Sequence, residues 1–150
     1  MDFAHHPDAR VCRAFEIART AHAGQTDKAG VDYINHPATV AASVGENFSA
    51  VIVALLHDVV EDTEKTFDEL RREVPLTDEE FAALKLLTHD EKISYFDYVR
   101  RIATNKLAAR VKIADLRHNS DLSRIKNPAA KDFERVEKYR RALKILEATT

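Results

Sequence analysis

The chain has 150 residues, of which 45% are hydrophobic and 32% charged, a balance typical of one globular domain with a substantial core. Its formal net charge of -2 disfavours a nonspecific nucleic-acid binder, and no apolar run approaches the length of a membrane span. A single cysteine, Cys12, excludes an internal disulfide, and the N-terminus lacks the basic and apolar regions of a signal peptide, so we expect a cytoplasmic protein without a membrane partner.

The first half of the chain is predicted to be helical, with one long loop. Apolar residues recur at helical spacing over residues 10–23, and Gly24 ends that helix because glycine suits the left-handed position beyond a helix end. A polar loop follows over residues 24–35. The next helix begins at His36-Pro37, since proline is tolerated in the first helical turn, and it ends near Gly45.

Helix signals continue to the end of the chain. Thr66 and Thr77 each precede a Glu by three residues, which is the capping-box pattern of a helix start. Ser94 is predicted to cap a helix that runs to residue 104, another follows over residues 105–118, and Asn127-Pro128 opens the last. Because no alternating strand pattern and no repeat occur, the sequence predicts one all-α domain, a compact bundle of about eight helices spanning residues 1–150.

A short acidic segment, HDVVED at residues 57–62, follows the apolar run that starts at Ala50. We predict that the apolar helix continues through this segment, so that His57 lies above Glu61 and Asp58 lies above Asp62, because positions four apart share a helix face. Buried charges are costly unless they are paired or bind a metal, and no Lys or Arg occurs over residues 50–64. The segment therefore indicates a metal or catalytic site rather than a salt-bridged helix end.

Two more residues could complete a metal site with His57 and Asp58. They are His36, at the start of a helix beside the long loop, and Asp115, in a partly apolar helix that also carries Asn119 on the same face. Together the four supply two imidazoles and two carboxylates from three helices, donors that suit Mn, Fe, Zn or Mg-like ions. Spacing alone leaves open that His36 is a helix cap and Asp115 an ion-pair partner.

Four stretches of the chain, taken in order, resemble the HD-domain metal-dependent phosphohydrolases, and more closely the hydrolase domain of RelA/SpoT proteins and the small alarmone hydrolases. They are AHAGQ at residues 21–25, YINHP at 33–37, ALLHDVVEDT at 54–63 and VKIADLRHN at 111–119. The resemblance covers most of the chain and implies an HD-domain helical bundle. The segment after the last stretch leaves room for one helix, so we expect no synthetase half and a chain that degrades alarmone without making it.

The resemblance also implies a role for each matched position. One divalent ion, usually Mn²⁺ in this family, would be held by His36, His57, Asp58 and Asp115. Glu61 and Asp62 would position and deprotonate the attacking water, Asn119 would contact the nucleotide, and Lys28 would face its phosphates. The implied reaction is hydrolysis of the 3′-pyrophosphate of (p)ppGpp to GDP or GTP and pyrophosphate.

Several nearby residues have less specific interpretations. Tyr33 could stack on a base of the substrate or fill the core. Lys112 and Arg19 are interpreted as solvated helix residues, His22 as a packed residue behind the ligands, and His118 as structural or at the edge of the pocket. None of these interpretations depends on the resemblance.

The chain departs from the RelA/SpoT pattern at two positions. It has Asp27-Lys28 where those hydrolases usually show Arg-Lys, and Asp32-Tyr33 where they usually show Pro-Tyr. Asp27 puts a negative charge where a cation facing the substrate is expected. We therefore keep open a different nucleotide, such as (p)ppApp, NADPH or a nucleoside monophosphate, and also a non-catalytic nucleotide-binding module. The oligomeric state is open as well, with a homodimer among the options.

Overall fold

The computed structural model describes residues 1–149 of the chain. Within that range the protein is all-α, as predicted, and the only strand-like pairing is a single bridge between Thr26 and Asp32. The α-helices are α1 (Ala9–Ala21), α2 (Asn35–Ser43), α3 (Phe48–Leu56), α4 (Val59–Asp62), α5 (Phe67–Glu73), α6 (Asp78–Leu87), α7 (Tyr95–Ala103), α8 (Lys106–Asn119) and α9 (Ala130–Glu147). Two 3-10 helices, Phe3–His5 and Leu122–Arg124, complete the described elements.

Helix caps explain most of the predicted boundaries. Gly24 has a φ of 86°, the left-handed conformation expected of the glycine that follows α1. Thr77 and Glu80 form the full capping box at the start of α6, and the Ser94 side chain accepts from a backbone N–H of α7. The last helix begins later than predicted, at Ala130, because Asp132 accepts from the backbone N–H that precedes that helix.

The core is built around α3. All residues from Ala50 to Leu56 are buried, and the helix packs against α1, α2, α6 and α8. A fully buried Val, Ile or Leu side chain stabilises a fold by about 1.5–3 kcal/mol, so this one apolar helix is a large part of the hydrophobic stabilisation. It also fixes the position of the residues that follow its C-terminal end.

The acidic segment does not continue α3, and our prediction of one uninterrupted helix there is wrong. Helix α3 ends at Leu56, and the four-residue α4 begins only at Val59. His57 and Asp58 form the link, where the imidazole Nδ1 of His57 lies 2.5 Å from the carbonyl oxygen of Ala54. The split raises the helix count of the described residues to nine.

The buried carboxylate of Glu80 connects three helices. The side chain of Glu80 is fully buried and accepts from the guanidinium of Arg10, from Ser49 Oγ at 2.6 Å and from the backbone N–H of Thr77 at 2.9 Å. These bonds tie α6 to α1 and α3.

Among the described residues, no helix has both the length and the apolar character to cross a membrane.

Candidate metal centre

The four predicted ligands lie together. His36 comes from α2, His57 and Asp58 from the link after α3, and Asp115 from α8, and each can offer one atom such that all four atoms lie within 4.8 Å of one another. His36 Nε2 lies 2.8 Å from Asp115 Oδ1, and His57 Nε2 lies 3.1 Å from Asp58 Oδ2. The distances gather two imidazole nitrogens and two carboxylates at one buried point.

The other ring nitrogen of each imidazole has a partner outside this cluster. His57 Nδ1 is bonded to the Ala54 carbonyl oxygen, which requires a proton on Nδ1. His36 Nδ1 lies 2.7 Å from Nδ1 of His118, whose ring is stacked on it. With the proton on Nδ1, a neutral His57 ring has its Nε2 lone pair directed at the cluster. A neutral His36 ring likewise directs its Nε2 lone pair at the cluster when its Nδ1 donates to His118.

One atom of the cluster indicates that a cation belongs there. His57 Nε2 is buried and has no hydrogen-bond partner among the residues that the structure describes, because Asp58 Oδ2, although 3.1 Å away, is not aligned with it. A buried nitrogen without a partner is costly, and a metal ion would satisfy it. The donor set of two imidazoles and two carboxylates therefore fits a divalent metal ion.

The electrostatics of the cluster agree with this assignment. Burial alone would lower the pKa of His57, but the Asp58 and Asp115 carboxylates outweigh it and raise that pKa well above 6.5. Burial opposes ionisation of Asp58 too, yet the neighbouring His57 charge lowers the pKa of Asp58 to about 2. The cluster thus keeps its carboxylates ionised and attracts positive charge.

Three side chains hold the two carboxylates from outside the cluster. Tyr33 Oη donates to Asp58 Oδ2 at 2.7 Å, Lys112 Nζ donates to Asp115 Oδ2 at 2.9 Å, and Asn119 Nδ2 donates to Asp115 Oδ1 at 3.1 Å. Burial and the Asp58 charge raise the pKa of Tyr33 far above its usual value of 10.0, so its hydroxyl stays protonated and remains a donor.

Lys112 is not the solvated helix residue that we predicted. Its side chain is only 13% exposed, and its ammonium group lies over the Tyr98 ring at 5.3 Å as well as beside Asp115. Burial would lower the pKa of Lys112, but the Asp115 charge raises it well above 10.5, so the lysine stays charged. The spacing of three residues between Lys112 and Asp115 was a signal that could have found this pair.

Glu61 and Asp62 lie beside the cluster. One oxygen each from Asp58, Glu61 and Asp62 falls within a common 4.8 Å. Both side chains are solvent-exposed, yet partial burial of their carboxyl groups raises the pKa of each above its ordinary value, and the Asp58 charge raises it further. For Glu61, a hydrogen bond from the backbone N–H of His89 partly offsets this rise. A carboxylate of raised pKa near a metal is a suitable proton acceptor.

Two connections that hold this pair were not predicted. The backbone N–H of His89 donates to Glu61 Oε1 at 2.8 Å, and Gln25 Nε2 donates to the backbone oxygen of Asp62 at 2.9 Å. Gln25 in turn bonds His22 Nδ1 at 2.9 Å, which agrees with our interpretation of His22 as a packed residue behind the ligands. No sequence spacing joins His89 to Glu61, so that contact required the fold.

An inner cavity borders the cluster, and an outer cavity shares with it a wall made of Tyr33, Asn119 and Tyr139. The inner cavity, of about 230 Å³, is lined by Tyr33, Asp58, Glu61, Asp62, His89, Tyr95, Tyr98, Lys112, Asp115, Leu116, Asn119 and Tyr139. The outer cavity, of about 310 Å³, is lined by Thr26, Asp27, Lys28, Ala29, Tyr33, Asn119, Asp121, Arg124, Ile125, Arg135 and Tyr139. The predicted substrate residues Lys28, Tyr33 and Asn119 all lie on these walls, whereas Arg124, Arg135 and Tyr139 were missed.

Asp27 is not the open negative charge that we expected. Its Oδ1 accepts from the backbone N–H groups of Ala29 at 2.8 Å and Val31 at 3.0 Å, and its Oδ2 accepts from Arg124 Nη2 at 2.8 Å. Burial would raise the pKa of Asp27, but these two N–H groups and the Arg124 charge outweigh it and lower that pKa below 3.8. The carboxylate is ionised and its charge is matched by a cation in the same wall.

Comparison with known proteins identifies the family. A family model described as an HD domain matches residues 14–147, nearly the whole chain. The chain belongs to the HD-domain family. Membership of this family implies divalent-metal binding, and the cluster of two His and two Asp side chains is a group that could hold such an ion.

Individual relatives match a shorter part of the chain. It is 41% identical over 66 residues to the bifunctional (p)ppGpp synthase/hydrolase SpoT of Escherichia coli (strain K12), which covers 42% of this chain and 9% of that protein. It is 40% identical over 73 residues to a guanosine-3′,5′-bis(diphosphate) 3′-pyrophosphohydrolase of Aquifex aeolicus (strain VF5), covering 45% of this chain and 10% of that one. The chain thus spans a small part of the length of these relatives.

A solved structure shares the fold over almost the full length. It belongs to a protein described as a metazoan ortholog of SpoT that hydrolyzes ppGpp and plays a role in starvation responses. The two structures superpose with a TM-score of 0.74 over 97% of this chain and 88% of the other, at 24% sequence identity. The likeness confirms the predicted all-α HD-domain bundle.

Proposed function

We propose that this protein is a metal-dependent phosphohydrolase that removes the 3′-pyrophosphate of (p)ppGpp, giving GDP or GTP and pyrophosphate, with Mn²⁺ as its ion. The observation that carries the proposal is the placement of Glu61 and Asp62, which line the inner cavity together with Asp58 and Asp115 of the metal cluster. The names of the relatives, several of which denote 3′-pyrophosphohydrolases of the same alarmone, support the choice of substrate.

The residues of this chain divide the reaction between them. His36, His57, Asp58 and Asp115 hold the ion, which when bound supplies Lewis acidity toward water and phosphoryl oxygens. Glu61 and Asp62 orient the attacking water and take its proton as its oxygen bonds to phosphorus. The bond from that phosphorus to the ribose 3′ oxygen breaks, the 3′ oxygen takes up the proton that the carboxylate removed from water, and pyrophosphate separates from GDP or GTP.

The outer cavity suits a nucleotide. Its wall carries the cations Lys28, Arg124 and Arg135, which can donate to phosphate oxygens. The shared wall offers the rings of Tyr33 and Tyr139 as apolar surface for a base. A nucleotide with its phosphate ester at the inner cavity and its remainder in the outer cavity would use both spaces.

The single cysteine, Cys12, agrees with the cytoplasm as the place of this reaction.

A second substrate class is favoured by one observation. Two of the three cations in the outer cavity are paired with carboxylates, Arg124 with Asp27 and Arg135 with Asp132 at 2.9 Å. This pairing lowers the net positive charge offered to the substrate. It favours a nucleotide that carries fewer charges than (p)ppGpp, such as NADPH or a nucleoside monophosphate.

One assay distinguishes these substrates. Purified protein would be incubated with Mn²⁺ and separately with excess chelator, on a panel of (p)ppGpp, (p)ppApp, NADPH and nucleoside monophosphates. We expect pyrophosphate release from (p)ppGpp that requires Mn²⁺ and is fastest on that substrate. Faster metal-dependent turnover of another panel member would replace the substrate, and binding without any turnover would replace the enzyme by a nucleotide-binding module.

A further inference from the structure

The long loop after α1 is tied to the 3-10 helix Leu122–Arg124 by one ion pair. Asp27 Oδ2 accepts from Arg124 Nη2 at 2.8 Å, although the two residues are 97 positions apart. Both side chains lie on the wall of the outer cavity, where Asp27 is 14% exposed and Arg124 is 29% exposed. The pair lies outside the metal cluster and the proton-accepting carboxylates, and the mechanism above gives Asp27 no role.

We propose that Arg124 is a phosphate-binding residue of the outer cavity and that Asp27 is the residue that positions it. The inference rests on the proposed function, because it assumes that the outer cavity receives a phosphorylated nucleotide. It assigns the unusual Asp at position 27 a supporting role toward the substrate, in place of the repulsive role that the sequence alone implied.

The guanidinium of Arg124 has donors to spare. Arginine carries five N–H donors. Nη2 uses one on Asp27, and Nη1 uses one on the His118 backbone oxygen at 3.3 Å. The remaining donors lie on a side chain that lines the cavity beside Lys28 and Arg135. A guanidinium already hydrogen-bonded to a carboxylate and a carbonyl oxygen can donate its remaining N–H groups to a phosphate with little further loss of rotamer freedom.

The bonds of Asp27 fit a positioning role. One oxygen accepts two backbone N–H groups of the loop, from Ala29 and Val31, and the other accepts from Arg124. The carboxylate thus fixes the loop that carries Lys28 and the guanidinium in a single arrangement. Side chains that are fixed before the ligand arrives gain affinity because less ordering is needed on binding.

Two accounts of Asp27 predict opposite results. If Asp27 mainly repels phosphate, Asp27→Asn removes a negative charge, so the KM for a phosphorylated nucleotide should fall. If Asp27 positions Arg124, the same change leaves the amide oxygen to hold the loop but breaks the ion pair, so the KM should rise. The sign of the change therefore separates the two accounts.

The test compares three variants with the wild type. Asp27→Asn breaks the pair from the loop side, and Arg124→Met removes the guanidinium while leaving the loop hydrogen bonds of Asp27 in place. Asp97→Asn is the matched control, because Asp97 pairs with Arg100 at 2.9 Å in an exposed i, i+3 contact on α7. Each variant would be assayed for KM and kcat on (p)ppGpp, and for affinity by calorimetry for the nucleotide and for guanosine, which has no phosphate.

We expect Asp27→Asn and Arg124→Met to raise KM and weaken nucleotide binding roughly 10- to 100-fold, the usual effect of losing a hydrogen bond to a charged group. The kcat and the affinity for guanosine should stay within about twofold of the wild type, and Asp97→Asn should change nothing. An unchanged or lower KM in Asp27→Asn, or equal weakening for nucleotide and guanosine, would overturn the proposal.

Failure of the proposed function would look different. If the wild type turns over another panel member instead of (p)ppGpp, the same variants are measured on that nucleotide, and its phosphate-free nucleoside replaces guanosine. A rise in KM there supports the role of Arg124 even though the substrate of the proposed function is wrong. If the wild type binds no member of the panel, the phosphate-binding role of Arg124 is overturned together with it.

Discussion

Lys112 fixes the carboxylate of Asp115 from the side that faces away from the cluster. Its ammonium group donates to Oδ2 at 2.9 Å, while Oδ1 of the same carboxylate lies 2.8 Å from His36 Nε2 and 3.4 Å from His57 Nε2. The lysine therefore determines which oxygen is available to an ion. It is also the counter-charge of a buried carboxylate, so it links the His and Asp cluster to the stability of α8.

Replacing Lys112 by Met should weaken metal binding. Residues that orient a ligand typically change metal affinity by 10- to 100-fold, and we expect a loss of about that size for Mn²⁺. Because the change also leaves Asp115 without its cation, the free energy of unfolding of the metal-free protein should fall by about 3 kcal/mol or more. Calorimetric titration with Mn²⁺ and denaturant unfolding measure the two effects.

The control for that variant is Lys106→Met, at the exposed start of the same helix. It removes the same charge without touching the cluster, so both quantities should match the wild type. Equal Mn²⁺ affinity in Lys112→Met and Lys106→Met would show that Lys112 does not orient Asp115.

Glu61 and Asp62 should serve the water rather than the ion. Glu61→Gln and Asp62→Asn keep the shape of each side chain but remove the proton acceptor. Turnover should fall by roughly 10²- to 10⁴-fold, the usual contribution of a positioned base, while metal content stays near that of the wild type. Steady-state kinetics and elemental analysis on the same preparations check both statements. Variants that lose the ion would instead make these carboxylates ligands.

The Asp27 ion pair should make part of the stability depend on pH. The pKa of Asp27 is lower in the folded protein than its ordinary value of 3.8, so the carboxylate stabilises the fold above that value and ceases to do so as pH falls through the folded pKa. At pH 7, Asp27→Asn should lower the free energy of unfolding by about 1–2 kcal/mol. The difference from the wild type should shrink below pH 4.

Denaturant unfolding of the wild type and Asp27→Asn at pH 7 and pH 3 measures this dependence. Arg124→Met provides the comparison, since it removes the ion-pair partner but leaves the two backbone N–H bonds to Asp27, and it should abolish only part of the pH dependence of stability. A stability gap that stays constant between the two pH values would mean that the carboxylate does not gain its stability from ionisation.

The sequence predicted the helical fold and the location of the four ligand candidates because those features are local or follow a motif. The apolar run at residues 50–56 and the caps at Thr77 and Ser94 involve only residues that are close together in sequence. The break between α3 and α4 was not predicted, since it depends on a side-chain contact from His57 to the backbone of the preceding turn.

The unpredicted parts of the site depend on distant partners. Arg124 and Arg135 have no distinguishing neighbours in sequence, and only the fold places them on the same wall as Lys28. The expectation that Asp27 opposes the substrate failed for the same reason, because its counter-charge comes from a segment 97 residues away. The prediction that Lys112 is solvated was wrong, although its partner Asp115 is only three residues away in sequence, because a local pattern does not show that a lysine is buried.

The most direct test of the account is the metal dependence of the native protein and of Asp115→Ala. Elemental analysis and turnover would be measured after chelation and again after addition of Mn²⁺. We expect one divalent ion per wild-type chain, no turnover when it is removed, recovery on adding Mn²⁺, and neither ion nor turnover in Asp115→Ala. Full turnover in excess chelator, or equal metal content in the wild type and Asp115→Ala, would contradict a metal centre built from His36, His57, Asp58 and Asp115.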